Sequence, residues 1–251
     1  MNYWIDSTFF SFLFPILLLL FVGIGYYAAR KYKKTGVWES SGVENAVIGI
    51  FALLISFTFL NSGNAFRDRN SLIHQEADAI MKMSRYASTL DDSTNQLTRD
   101  FIKEFLLNQI DKHRETYQTN DSLMHMGREI STDYWISLQA RRSNLEVGQQ
   151  ANFANLCSAF DQLQSCFARL AFSFDERTPP LIIYVLIIAS LLIGVLIGFM
   201  NAIKSRVHYL VPAIYVILIC LMMQTIRDLD NPYKGVILNN YSDIEDVYKR
   251  F

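Results

Sequence analysis

Apolar and polar positions are sorted into long blocks along this chain. Four runs carry no charged side chain: Thr8 to Ala29, Asn45 to Asn64, Pro180 to Ala202 and Val207 to Ile226. A bilayer core about 30 Å thick is crossed by roughly 20 helical residues, so each run is long enough to span it. Buried core helices of a soluble protein are the competing reading, and uncharged runs of this length weigh against it.

Between the second and third runs, apolar residues recur three and four apart, the spacing of a helix with one buried face. The second run does not stop cleanly. Asn61 to Arg69 turns polar without a proline, and helical spacing resumes at Leu72, Ile73, Ala77, Ile80 and Met81. This predicts one long helix that leaves the membrane and enters a soluble domain. Asp91, Asp92 and Ser93 offer an N-cap ahead of Leu97, Phe101, Phe105 and Leu106. Asn120 and Asp121 offer another ahead of Leu123, Met126, Ile130 and Tyr134. After Gly148, the residues Phe153, Leu156, Phe160, Leu163, Phe167, Leu170 and Phe174 form a heptad seam. The seam reads first as the core of a helical bundle and second as a subunit interface. Thr178-Pro179-Pro180 resets the chain, because proline breaks a helix interior. The third and fourth spans form a hairpin through Lys204, Ser205 and Arg206.

The expected fold is all-α: a polytopic membrane protein with four transmembrane helices and a helical-bundle soluble domain inserted between spans two and three. The expected divisions are 1–64 for the first helix pair, 65–178 for the soluble domain, 179–227 for the second pair and 228–251 for a tail of short helix or coil.

Hydrophobic residues make up 51% of the chain and charged residues 19%, a mixture that suits a membrane domain joined to a solvated one. The first run does not read as a cleaved signal peptide. Asp6 precedes it, and Arg30, Lys31, Lys33 and Lys34 follow it, the reverse of a signal peptide's charge order. Positive side chains next to spans tend to stay in the cytoplasm. Those four residues, with Lys204 and Arg206, place both short loops there, and the soluble domain and both termini outside. Arg67, Arg69, Arg177 and Arg227 lie near the opposite face and argue the other way.

Little in the sequence points to catalysis. His74, His113, His125 and His208 fit no metal spacing. No phosphate-cradling glycine loop or nucleophile elbow occurs. Acidic residues of the middle region alternate with lysine and arginine, as on a solvated helix face. The expectation is therefore no enzyme, no cofactor and no metal. A formal net charge of −1 disfavours nucleic acid as a partner. Of the three cysteines, Cys157 and Cys166 stand about 13 Å apart if one helix holds both. That is too far for a disulfide.

The second span carries the functional candidates. Phe51, Ile55, Phe59, Ser62 and Phe66 share one helical face. Copies of this helix around an axis would stack them into apolar rings, with Phe51, Ile55 and Phe59 as a neck that gates by dewetting. The alternative is a face packed against neighbouring helices or lipid. Asn61, Ser62, Asn64, Phe66, Arg67 and Arg69 would form the pore mouth, whose amides and cations favour small anions. The cationic residues could equally reach lipid headgroups. Glu76 and Asp78 read as polar contacts inside the helical domain, and Glu76 lies two turns beyond Arg69 on the same face.

Three pieces of this sequence resemble the bestrophin-like domain family, a set of mostly bacterial membrane proteins. They are Phe51-Ala52-Leu53-Leu54-Ile55-Ser56-Phe57, then Arg67-Asp68-Arg69, then Glu76-Ala77-Asp78-Ala79-Ile80. Leu229-Asp230-Asn231-Pro232-Tyr233-Lys234-Gly235 resembles that family's motif after the last span. The resemblance runs from about Asn45 to the C-terminus and implies a bacterial inner-membrane protein. More distantly, the chain is similar to the bestrophins themselves. That implies a homo-oligomer, a pentamer, whose second membrane helix lines an anion pore with the neck at Phe51, Ile55 and Phe59. Bestrophins keep the helical domain in the cytoplasm, opposite to the charge count above. Their calcium clasp uses a dense acidic run, where this chain has Asp228 and Asp230 alone, so no calcium control is expected. The competing function is a non-conducting membrane scaffold or sensor whose helical domain binds a partner or ligand.

Overall fold

The computed structural model describes residues 7–33, 42–114, 120–144, 147–203, 208–232 and 235–251. Its helices, in chain order, are α1 (Thr8–Tyr32), α2 (Val43–Ala87), α3 (Asp92–Arg114), α4 (Asn120–Arg141), α5 (Gln150–Asp175), α6 (Pro180–Ile203), α7 (Leu210–Asp230) and α8 (Ser242–Tyr248). No strand occurs among the described residues. Lys34, Lys204, Ser205, Arg206 and Val207 lie outside them, as do Tyr233 and Lys234.

The chain divides into two compact units. One comprises Met1–Ala65 with Arg177–Leu238, the other Phe66–Glu176 with Asn239–Phe251. The tail expected as one piece from 228 is thus shared: its first part belongs to the membrane unit and its last thirteen residues, 239–251, to the helical unit. The physical reason is polar and apolar anchoring of the end. Ile244 and Val247 on α8 are buried, and the Asn240 N–H donates to Asn70 Oδ1 at 3.1 Å. The expected single long helix is present, since α2 runs unbroken and supplies residues to both units.

Among the described residues, four helices are long and apolar enough to cross a bilayer. Ser7 starts α1 by accepting the Phe10 N–H at 3.2 Å. A common apolar core joins Phe10, Phe14 and Leu18 of α1 to Phe51 and Ile55 of α2, Leu186 and Ile193 of α6, and Val216, Ile219 and Met223 of α7. The reverse faces are apolar too: Phe12, Ile16, Leu181, Ile188, Leu192, Ile217 and Leu221 are all more than half exposed. Such surface is stable only in hydrocarbon, and the chain is an integral membrane protein. Backbone polar groups inside the unit are satisfied locally. The Tyr215 hydroxyl donates to the Ser190 carbonyl, and the Ser190 hydroxyl donates to the Ile187 carbonyl at 2.7 Å. The α6–α7 hairpin is closed by a reciprocal pair: Asn201 Nδ2 donates to the His208 carbonyl at 3.0 Å, and the His208 N–H donates to Asn201 Oδ1 at 3.1 Å.

The helical unit is built on the α5 seam. All seven of its residues, Phe153 through Phe174, are buried within the chain, so the seam is bundle core. Phe160 lies parallel to Trp135 at 5.6 Å and meets Tyr134 at 5.1 Å and Phe101 at 5.7 Å. Gly127 gives Phe167 room, because a Cβ there would stand 2.6 Å from the ring. Asp91 caps α3 as expected: Oδ2 accepts the Thr94 N–H at 3.0 Å and Oδ1 the Thr94 hydroxyl at 2.6 Å. Cys157 and Cys166 both sit on α5 and are free thiols.

Candidate functional site

The membrane half of α2 has one packed stripe and one unpacked file. Phe51, Ile55, Thr58 and Ser62, spaced four, three and four apart, are buried inside the protomer. Thr58 turns its hydroxyl back to the Leu54 carbonyl at 3.0 Å. The opposite side carries Gly49, Leu53, Ser56 and Leu60, spaced four, three and four apart and leading to the half-buried Asn64. Leu53 is 72% exposed and Leu60 is 60% exposed. Ile50 and Phe57 flank that file and are also exposed.

The expected neck is therefore split. Phe51 and Ile55 are 6% and 5% exposed and belong to the apolar core of their own chain, while Phe59 is 38% exposed on the flank. Phe51 and Ile55 thus contribute to the apolar core of the protomer. The expected mouth separates too. Asn61 and Arg67 are exposed, and Asn64 and Phe66 are half-buried. Ser62 is buried, with its hydroxyl 3.5 Å from that of Thr178. Arg69 is 1% exposed and lies in the helical unit. A guanidinium so enclosed is part of that unit's interior.

The Thr178 hydroxyl belongs to a buried knot at the start of α6. Asp230, the last residue of α7, accepts the Thr178 N–H at 2.8 Å and the Thr178 hydroxyl at 2.7 Å, both on Oδ1. With the threonine proton directed there, Ser62 is the donor to Thr178. Pro179 and Pro180 bring no N–H of their own, and the fixed φ of Pro180 suits the first position of α6. Asp228 completes the turn beyond α7. Its Oδ2 accepts the Val236 N–H at 2.9 Å, and Gly235 holds φ +143° with its missing Cβ 2.8 Å from the Asp228 carboxyl carbon. The positive φ is what favours glycine there, and a Cβ would also displace the Asp228 carboxyl from its hydrogen bond. The motif after the last span was legible in sequence as a resemblance, but its partner Thr178, 52 residues upstream, was not.

Glu76 lies in the helical unit, and its partner there is a residue that local periodicity does not nominate. It is fully buried, and its Oε1 accepts from the Gln109 amide of α3. Burial pushes the carboxyl up to about 8, against the lowering effect of the Gln109 hydrogen bond. Asp78 is exposed. No group of three or more metal-ligating side chains occurs among the described residues.

Residues 17–238 match a family model described as Bestrophin-like domain. No curated protein matches the chain. Among solved structures, a bacterial bestrophin homologue from Klebsiella pneumoniae phased by Zn-SAD has a TM-score of 0.71 at 14% identity, covering 95% of this chain and 96% of that one. A point mutant of the Klebsiella pneumoniae homologue gives a TM-score of 0.73 at 13% identity, covering 95% of this chain and 98% of that one. A second point mutant gives 0.73 at 14% identity, covering 95% and 94%. At these identities the likeness establishes a shared fold.

Proposed function

We propose that this chain, which belongs to the Bestrophin-like domain family, assembles as a homo-oligomer of five copies around a pore that passes small anions across a lipid membrane. The observation that carries the reading is the unpacked file on α2. Leu53 and Leu60 are seven residues apart, about 10.5 Å along the axis at 1.5 Å per residue. They point away from a stripe that is fully used in packing. Brought around an axis, they make two apolar constrictions that dewet unless widened. Asn61 and Arg67 stand where the helix turns polar, and Phe59 lies on the flank of the file. This moves the proposed neck from the Phe51–Ile55 side of α2 to its opposite side.

A single set of measurements tests it. The purified protein is expected to run in detergent at the mass of five copies, and a monomer or dimer would exclude the channel. In liposomes, Leu53→Ser and Leu60→Ser are expected to raise anion flux several-fold. Phe51→Ala and Ile55→Ala are expected to lower thermal stability and leave the flux per folded oligomer unchanged. Equal flux in the wild type and both serine variants would remove Leu53 and Leu60 from the pore.

Burial of Phe51 and Ile55 favours a second reading, a non-conducting membrane scaffold or sensor whose helical domain binds a partner or ligand. No flux from a correctly sized oligomer would establish that reading over the first. The positive charges after α1 support a helical domain outside the cytoplasm of a bacterial inner membrane. Ser143→Cys in a background lacking native cysteines is then expected to react with an impermeant thiol reagent on intact cells. Protection of that thiol would place the domain inside.

A further inference from the structure

The buried acid of the helical unit has an unusual pattern of used and unused atoms. Glu76 is fully buried on α2, and the side-chain amide nitrogen of Gln109, 2% exposed on α3, donates to its Oε1. The other carboxyl oxygen, Oε2, has no hydrogen-bond partner. The other amide atom, Gln109 Oε1, has none either. Both unused atoms are acceptors; the amide nitrogen has a second N–H, but Glu76 Oε2 receives no hydrogen bond from it, and nothing donates to Gln109 Oε1. A single proton on Glu76 Oε2 changes that. The acid then donates to Gln109 Oε1 while the amide donates to Glu76 Oε1, and a carboxylic acid and a primary amide close a two-bond ring.

We propose that Glu76 binds a proton as the helical unit folds and is held as a neutral acid in a two-hydrogen-bond pair with the Gln109 amide, which ties α2 to α3. Loss of that proton leaves a buried carboxylate with one neutral donor, and the pair must open to admit water. The proton is thus a ligand of the bundle that α2 leaves the membrane to join. The inference concerns packing of the helical unit and does not rest on ion conduction.

Cys166 on α5 feels the Glu76 charge and, in the opposite sense, Arg169 of α5 and Lys82 of α2; on α2 itself Arg69 is buried two turns before Glu76, and the neighbouring exposed His74 pairs with Asp243 of α8. From α3 the neutral Asn108 is buried beside Gln109. The Cys166 thiol is pushed up first by burial and then by the Glu76 charge, which places α5 close to the carboxyl. The folded state holds the Glu76 proton more tightly than an opened state does. The pairing is at full strength below about pH 4.5, weakens as pH rises and is lost through about pH 8.

Hydrogen exchange of the full chain in detergent, corrected for intrinsic rates, reads this directly. In α2 beyond Glu76 and in α3 around Gln109, the opening equilibrium is expected to rise by about tenfold per pH unit within that window and then level off. Glu76→Gln places amide against amide, keeps two hydrogen bonds and has no proton to lose, so its profile is expected to be flat. His74→Asn and Cys166→Ser are expected to keep the wild-type slope. A flat wild-type profile, an undiminished slope in Glu76→Gln, or a slope removed by His74→Asn would each overturn the assignment. If Glu76→Gln does not fold, infrared spectra of the wild type decide. A neutral-carboxyl band present near pH 6 and gone by about pH 10 supports the pair, and no such band overturns it.

Discussion

Replacing Gly198 by leucine is expected to abolish the folded membrane unit. A Cβ at Gly198 would stand 2.1 Å from the Val22 carbonyl oxygen of α1, 2.9 Å from its carbon and 3.1 Å from the Tyr26 nitrogen. Gly25 is the reciprocal position, where a Cβ would meet the Val195 carbonyl oxygen of α6 at 1.9 Å. Each helix therefore lays a glycine on the other's backbone, and a backbone atom cannot rotate out of the way. In hydrocarbon, helices associate through close packing and gain nothing from burying apolar surface against one another. Forcing α1 and α6 apart therefore removes their main attraction while adding strain. The loss is expected to exceed ~3 kcal/mol, beyond the usual range for overpacking. The measurement is thermal unfolding and size homogeneity in detergent, with Gly194→Ala as the control. A Cβ at Gly194 meets Val22 Cγ2 at 3.5 Å, an ordinary contact, so that variant is expected to behave as wild type. Equal behaviour of Gly198→Leu and Gly194→Ala would show that α1 and α6 do not cross this closely.

That contact also marks where the sequence stops being legible. The four spans follow from hydropathy and length alone, and the α5 seam follows from spacing, because in water only a buried face stays apolar. Inside a bilayer this second inference fails. The packed Phe51 and Ile55 and the unpacked Leu53, Phe57 and Leu60 are all apolar, so periodicity on α2 shows that faces exist without showing which one packs. Spacing alone therefore puts the expected neck on the Phe51–Ile55 side. Arg69 is ambiguous on similar grounds. Charge near the end of a span suggests an interfacial position, yet this arginine is enclosed in the helical unit. Long-range pairs were out of reach altogether. Glu76 and Gln109 are 33 residues apart, and Thr178 and Asp230 are 52 apart. Only the fold brings either pair together.

Asp230→Ala is expected to cost about 3 kcal/mol, the scale of a buried donor losing a charged acceptor. Asp230 is 7% exposed, and one of its oxygens serves both donors of Thr178, itself 5% exposed. The fixed φ of Pro179 and Pro180 holds the chain as it enters α6 and limits how far the Thr178 N–H can turn toward another acceptor. Removing the carboxylate strands that N–H in a buried place and frees the hydroxyl that Ser62 approaches. The joint between the end of α7 and the start of α6 then loosens while the apolar core of the spans is untouched. Asp230→Asn keeps an acceptor oxygen at the same position and is expected to lose less. Ser62→Ala removes only a 3.5 Å contact and is expected to cost under ~1 kcal/mol. Thermal unfolding of the three variants in detergent gives the order. Hydrogen exchange at Thr178 separates a local loosening from global loss, since only the local effect raises exchange there ahead of the spans. An alanine variant as stable as the asparagine one would mean that the knot is filled by water and that Asp230 is not what fastens α6.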